Sequence, residues 1–181
     1  ALWVAPLSYR SRVLALIEAE TAKGEAGRIA IKVNSMNDIG VMTALIRASQ
    51  AGVRTELFIR GICCLRPGVA GYTENITVHS VVGRYLEHSR IFAFGEGAEQ
   101  RIFIGSGDLL NRNTRRRVEA FIECITPETR EGVLAILDAL RADREKSWTM
   151  QSDGTYSRGG IVPGTASHDT LYEYFGEKTV E

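Results

Sequence analysis

The sequence has no excess of either charge: 22 basic and 22 acidic residues give a formal net charge of zero over 181 residues. A chain without a global field has no general pull toward nucleic acid or a membrane surface, so any anion site must be local. Long hydrophobic runs are also missing. No stretch approaches the roughly 18 apolar residues that span a bilayer. Peripheral membrane association is not indicated either. The opening Ala1-Leu2-Trp3-Val4-Ala5-Pro6 is too short, and lacks the basic start, for a signal peptide. Cysteine is scarce, with Cys63, Cys64 and Cys124 alone. Cys63 and Cys64 are adjacent and have no C-x-x-C spacing, which fits neither a zinc site nor a disulfide framework. Small buried thiols in a reducing, cytoplasmic compartment are expected instead. Two nucleotide-binding patterns are absent as well: no G-x-x-x-x-G-K-S/T phosphate loop, and no G-x-G-x-x-G after a strand.

What is present fits one soluble α/β domain: 44% hydrophobic and 24% charged residues, enough length for a real core, and no repeat or low-complexity segment. The first residue is not Met and the chain opens straight into a strand-like run, which reads as a piece of a longer protein. Strand is expected over residues 2–6, helix over 10–23 and strand over 28–34. In that strand Ile29, Ile31 and Val33 share one face, and Ala30, Lys32 and Asn34 the other. A helix over 38–51 closes at Gly52, and a strand runs over 54–60. This strand–helix alternation calls for parallel strands and right-handed crossovers. Residues 61–74 read as a long loop, which in a small domain is usually functional. Strands follow over 76–80, 90–94 and 101–106, the last two joined by a hairpin at Gly95-Glu96-Gly97. Another strand is expected over 117–125. Thr126-Pro127-Glu128 starts a helix with the N-cap, proline and acid that such a terminus favours. A strand over 145–151 comes next, and residues 152–181 are polar with a late aromatic patch.

In open α/β sheets ligands gather beyond the carboxyl ends of strands. Lys32, Asn34 and Arg60 lie there or close by. Gly61 lets the chain turn at once after Arg60, leaving its guanidinium facing a cleft, where it can hold phosphate oxygens bidentately. A surface Arg capping a strand would read the same. His88-Ser89-Arg90, if extended, puts His88 and Arg90 on one face. A His near neutral pH can move a proton while the Arg neutralises phosphate; a structural His is the alternative. His79 and His168 have no basic partner at i+2 and read as structural or exposed. Gly105-Ser106-Gly107-Asp108 is either an anion-binding turn or a hairpin end. In Arg115-Arg116-Arg117-Val118-Glu119, alternation puts Arg117 and Glu119 on one face, with Glu119 orienting Arg117 toward a site.

The strings VAPLSYRSRVLALIEAE, IAIKVNSMNDIGVMTALIRASQAGV, VGRYLEHSRIFAF, GDLLNRN with RVE, and SDGTYSR closely resemble, in order, the C-terminal catalytic region of the polyphosphate kinases. The resemblance covers about residues 2–158. It implies a phospholipase D-like mixed sheet flanked by helices in a single domain, residues 1–158, with 159–181 as a tail. It also implies reversible transfer of the ATP terminal phosphate to polyphosphate through a phosphohistidine. No sequence here matches the motif of that His, so it would lie in a preceding domain of the same chain. His88 matches the family's second, assisting His, Arg60 its nucleotide-contacting Arg, and Arg117 a further site Arg. Lys32, Asn34 and Arg90 complete the expected phosphate-binding set. Implied partners are ATP or ADP, polyphosphate and the preceding domains, in a homo-oligomer and without nucleic acid. Mg2+ would arrive with ATP, its ligands outside these residues. The phospholipase D pattern itself is met only in part: Arg90 stands where Lys would, Gly95 where Asp would, and Asp108 where Asn would. A phosphodiesterase or nuclease completed by dimerisation, and a non-catalytic polyanion-binding module, remain alternatives.

Overall fold

The computed structural model describes residues 1–178. In chain order these form β1 (Leu2–Ala5), α1 (Tyr9–Thr21), β2 (Arg28–Val33), α2 (Ile39–Gln50), β3 (Arg54–Ile59), β4 (Ile76–Val81), β5 (Ile91–Phe94) and β6 (Arg101–Gly105). There follow α3 (Asn111–Arg115), β7 (Glu119–Glu123), α4 (Pro127–Ala142), β8 (Ser147–Met150), β9 (Tyr156–Ser157) and α5 (Ser167–Lys178). One sheet holds all the strands in the order β1-β7-β6-β5-β2-β3-β4-β8-β9. Only the β2–β3 and β3–β4 pairs are parallel; every other pair is antiparallel. Among these residues no helix is long and apolar enough to cross a membrane.

Alternation along the strands makes two cores. Ile29, Ile31 and Val33 of β2, with Leu57 and Ile59 of β3, pack under α1 and α2. Ala30, Phe58, Ile91, Ala93 and Ile102 face the other way and pack under Val133, Leu137 and Leu140 of α4. Each buried Val, Leu, Ile or Phe among them contributes about 1.5–3 kcal/mol, the alanines less. α5 packs against α4. An aromatic group fills the first core: Tyr9 stacks on Phe121 at 4.1 Å between centroids, and Trp3 lies 3.9 Å from Phe103.

The helix ends follow their local chemistry. Asp38 caps α2 by accepting the Val41 N–H at 3.1 Å, and Gly52, at φ +94°, turns the chain out of it. Thr126 accepts the Thr129 N–H at 3.3 Å ahead of Pro127 in α4.

Three expectations are corrected. β1 does not join β2 in parallel, because β5 occupies that side of β2 (Ile31↔Phe92); β1 instead pairs antiparallel with β7 at the far edge (Trp3↔Phe121). β7 begins at Glu119, and the preceding residues fold as the short helix α3 and a turn, so Arg117 lies outside the strand. Of the three free cysteines only Cys124 is buried; Cys63 is half-buried and Cys64 exposed.

Candidate functional site

Strand directions bring distant residues to one end of the sheet. β2 and β3 run parallel, so Asn34 and Arg60 leave side by side at their carboxyl ends. β5 is antiparallel to β2, with Ile91 opposite Lys32, so the residues entering β5 arrive at the same end. β6 pairs with β5 at Ile104↔Ile91, and its exit, Ser106 to Asp108, lands there too.

Side chains knit these termini together. Arg60 Nε donates to Asn34 Oδ1 at 2.8 Å. The Asn34 backbone N–H donates to Asp108 Oδ1 at 2.8 Å, and the same oxygen accepts from Arg90 Nε at 3.3 Å. Arg90 also donates through Nη1 to the His88 carbonyl at 2.8 Å. The Gly61 N–H donates to the Asn34 carbonyl at 2.8 Å, and a Cβ on Gly61 would stand 2.8 Å from that same oxygen. Only glycine lets the chain turn so close behind Arg60.

Lys32 is 4% exposed and lies under the loop that links β4 to β5. Its ammonium is ion-paired with Glu87 and donates to the Ser89 carbonyl at 2.9 Å. Burial pushes the Lys32 amine below its ordinary value, and the positive Arg60 and Arg90 add to that, while Glu87 opposes it. Burial would raise the Glu87 carboxyl, yet Lys32 and the Ser89 N–H hold it below the usual range. Three cations thus face two carboxylates, Glu87 and Asp108, and a local positive balance stands on a neutral protein.

A second polar layer supports the first. Asp38 is fully buried, and Arg10 holds it with bonds of 2.9–3.2 Å. The Thr114 hydroxyl donates to Asp38 at 2.8 Å. Burial alone would raise the Asp38 carboxyl; its partners Arg10, Thr114 and the Val41 N–H outweigh that and hold it below the ordinary value. Tyr9 donates to the Asp108 carbonyl at 3.3 Å, and burial drives its phenol well above its ordinary value. Glu119 accepts from Ser106 Oγ at 2.6 Å and from Asn113 Nδ2 at 2.7 Å.

The residues singled out in the sequence are thus placed as follows. Asn34, Arg60, Arg90 and Lys32 stand together. His88 is exposed, in the loop rather than on a strand, with its backbone carbonyl held by Arg90. Arg117 is exposed between α3 and β7; its backbone N–H bonds the Arg112 carbonyl at 2.9 Å. Glu119 does not orient it: its carboxylate is bonded to Ser106 and Asn113, and among the described residues no ion pair joins it to Arg117. Sequence reasoning missed Glu87 and Asp38, whose partners lie far along the chain, and fixed no role for Arg10. Asp108 reads in the sequence as part of a turn and as a departure from the phospholipase D pattern, not as the acceptor shared by Asn34 and Arg90. His79 is structural: it stacks on Phe58 and meets the Thr149 hydroxyl at 3.3 Å.

Magnesium finds no ready ligand set here. Asp38, Asp108, Glu87 and Glu119 are each engaged by protein donors, and among the described residues no group of three or more His, Cys, Asp or Glu could hold a metal ion. The charge offered to an anion is that of Arg and Lys.

Residues 2–169 match the family model described as polyphosphate kinase C-terminal domain 2. A polyphosphate kinase of Synechocystis sp. is 50% identical over 158 residues, covering 86% of this chain but 22% of that protein. The crystal structure of polyphosphate kinase from Porphyromonas gingivalis superposes with a TM-score of 0.88 at 34% identity, over 98% of this chain and 28% of that one. A phospholipase D family member, Nuc from Salmonella typhimurium, shares the fold at a TM-score of 0.60 and 18% identity, over 88% of this chain and 97% of that one. The chain therefore spans only 22% and 28% of these two polyphosphate kinases.

Proposed function

Because the chain belongs to the polyphosphate kinase family, as its C-terminal domain 2, we propose that this end of the sheet binds the phosphates of ATP and polyphosphate. The nucleophilic His that carries the phosphoryl group would belong to another domain of the complete enzyme. The observation that carries this reading is Arg60. Asn34 fixes its Nε, which leaves its two Nη groups without a protein acceptor among the described residues and aimed as a preset fork. Arg90 and Lys32 add positive charge, and Arg117 is exposed to add more. His88 offers an exposed imidazole on a held backbone, able to give or take a proton at a phosphate oxygen. Phosphoryl transfer asks for this kind of positioning and charge stabilisation rather than for covalent chemistry from every residue. ADP would share the nucleotide's place, and magnesium would come with it on ligands from elsewhere in the enzyme. A homo-oligomer in the cytoplasm, without nucleic acid, completes the reading.

The phosphodiesterase alternative loses ground on one point. Arg90, at the position where that pattern carries Lys, is tied to Asp108 and to the His88 carbonyl.

Titrating tripolyphosphate into the chain by calorimetry tests the proposal. A charge-assisted contact is worth about 1.5–3 kcal/mol, so Arg60→Ala should weaken binding by roughly tenfold or more. Arg115→Ala should change it by less than about twofold, because a surface charge change is worth less than about 0.5 kcal/mol. Equal losses at both positions would place the anion elsewhere. Turnover of a chromogenic phosphodiester by the chain would favour the hydrolase.

A further inference from the structure

On the reading above, we propose that α5 belongs to the working site: His168 is a positioning residue that fixes the loop carrying His88. Residues 82–90 join β4 to β5 without strand pairing, and Val82, Arg84, Tyr85, Leu86 and His88 are exposed. A segment so poorly covered samples many conformations unless something ties it down. Lys32 and Glu87 tie its second half, as described. α5 ties the first.

His168 is 7% exposed. Its Nδ1 accepts the Tyr85 backbone N–H at 3.0 Å, which puts the ring proton of the neutral imidazole on Nε2. The loop passes so close to this ring that a Cβ on Gly83 would stand 2.6–2.8 Å from Nδ1, Cγ and Cε1. The Tyr85 ring stacks on His168 and on Tyr172, one turn further along α5, at 6.0 and 6.2 Å between centroids. The start of the helix is itself fixed. Asp143 Oδ2 accepts the Ser167 N–H at 2.9 Å and the Ser167 hydroxyl at 2.8 Å, and Oδ1 accepts the Glu145 and Lys146 N–H groups. His168 also lines one narrow cavity together with Lys32, Arg60 and Glu87. The clamp and the phosphate-facing residues therefore border the same space. Covering α4 would not require α5 to reach the loop; the bond to Tyr85 and the ring against Gly83 serve the loop alone.

Three variants separate a positioning role from a merely structural one. In His168→Asn the amide oxygen can take the place of Nδ1; in His168→Gln the amide reaches toward Nε2; His168→Ala removes both. Amide exchange at Tyr85 is read in this chain, and kcat and KM for ATP in the full-length enzyme. One net hydrogen bond corresponds to about a tenfold change in local opening. Exchange should therefore quicken about tenfold in the Ala and Gln variants and stay within about twofold of the parent in Asn. The Ala and Gln variants should also lose kcat by about tenfold or more, as a misplaced catalytic group does. KM should hold within about twofold, because Arg60 is untouched, and Asn should restore kcat. Unchanged Tyr85 exchange in His168→Ala overturns the clamp. Faster exchange with full kcat overturns the positioning role. Failure of the phosphate reading looks different: Arg60→Ala and Arg115→Ala then bind tripolyphosphate alike, while the Asn and Gln variants still differ in exchange.

Discussion

Asp108 offers a test of the site's construction that can be worked through bond by bond. A single oxygen, Oδ1, accepts the buried Asn34 N–H at 2.8 Å and Arg90 Nε at 3.3 Å. Both members of the ion pair are mostly covered, with side chains 16% and 11% exposed, so solvent screens it only in part. Asp108→Asn keeps an amide oxygen for Asn34 and removes the charge that Arg90 faces. The Asn34 N–H bond then changes from charge-assisted, about 1.5–3 kcal/mol, to neutral, about 0.5–1.5, a loss of about 1 kcal/mol, while the Arg90 guanidinium still donates to the amide oxygen. Asp108→Ala removes the acceptor that both donors share. An orphaned buried N–H adds about 1–3 kcal/mol to the lost Arg90 bond, for a total near 3–5 kcal/mol. Against a typical stability of about 5–15 kcal/mol, Asn should be mild and Ala severe. Urea unfolding measures this. At a slope of about 2 kcal/mol/M the midpoints fall by roughly 0.5 M and 2 M. The double variant with Arg90→Met should be less than additive, because the two side chains share one bond. Equal losses for Asn and Ala, or strict additivity with Arg90→Met, would refute the shared-acceptor arrangement.

In the full-length enzyme, His88→Ala should lower turnover by about 10²–10⁴-fold with little change in melting temperature, since the ring is exposed; a lowered melting temperature with normal turnover would make it structural. This chain alone, given ATP and magnesium, should form no phosphohistidine, checked by base-stable labelling; label at His79, His88 or His168 would contradict the proposed division of labour. Asp38 has its folded value below the ordinary 3.8, so its contribution is present above about pH 4 and lost as pH falls through the folded value. Denaturant titrations between pH 6 and pH 3 should show that loss, and Asp38→Asn should flatten it; an unchanged slope would remove Asp38 from the acid-labile set. Gly105→Ala should destabilise severely, because a Cβ there runs into the Phe121 ring, whereas Gly159→Ala meets nothing within 4 Å; parallel melts separate them.

Local patterns showed in the sequence, and tertiary ones did not. The alternation of β2 was legible because each face meets its own helical layer, and α2 and α4 carried readable caps. Arg60 and Asn34 were legible together because parallel strands release their ends side by side. α3 was not: its residues, NRNTR, have no apolar stripe, so nothing marked a helix before β7. Continuing β7 back to Arg117 then paired that Arg with Glu119, whose true partners come from Ser106 and α3. The Lys32–Glu87 pair was hidden by the long separation between its members. His168 has no charged neighbour in sequence to mark it, because its partner is a backbone N–H of a distant loop. The start of α5 is held through Asp143, a side chain from the end of α4, which no local signal announces.

The strand order also bears on how the site comes into being. Asn34 and Arg60 meet within β2-α2-β3, and Arg90 and Asp108 within the β5–β6 hairpin. Both are short-range units that close small loops at low entropic cost. The two units join where β2 pairs with β5, so the network can assemble from residues 28–108. β1, by contrast, must find β7 across about two thirds of the chain, from Leu2 to Ile122. Such distant pairings slow folding and form late. During refolding the cluster of Asn34, Arg60, Arg90 and Asp108 should then be protected before the edge strand docks, and fraying of β1 in the folded protein should leave that cluster intact.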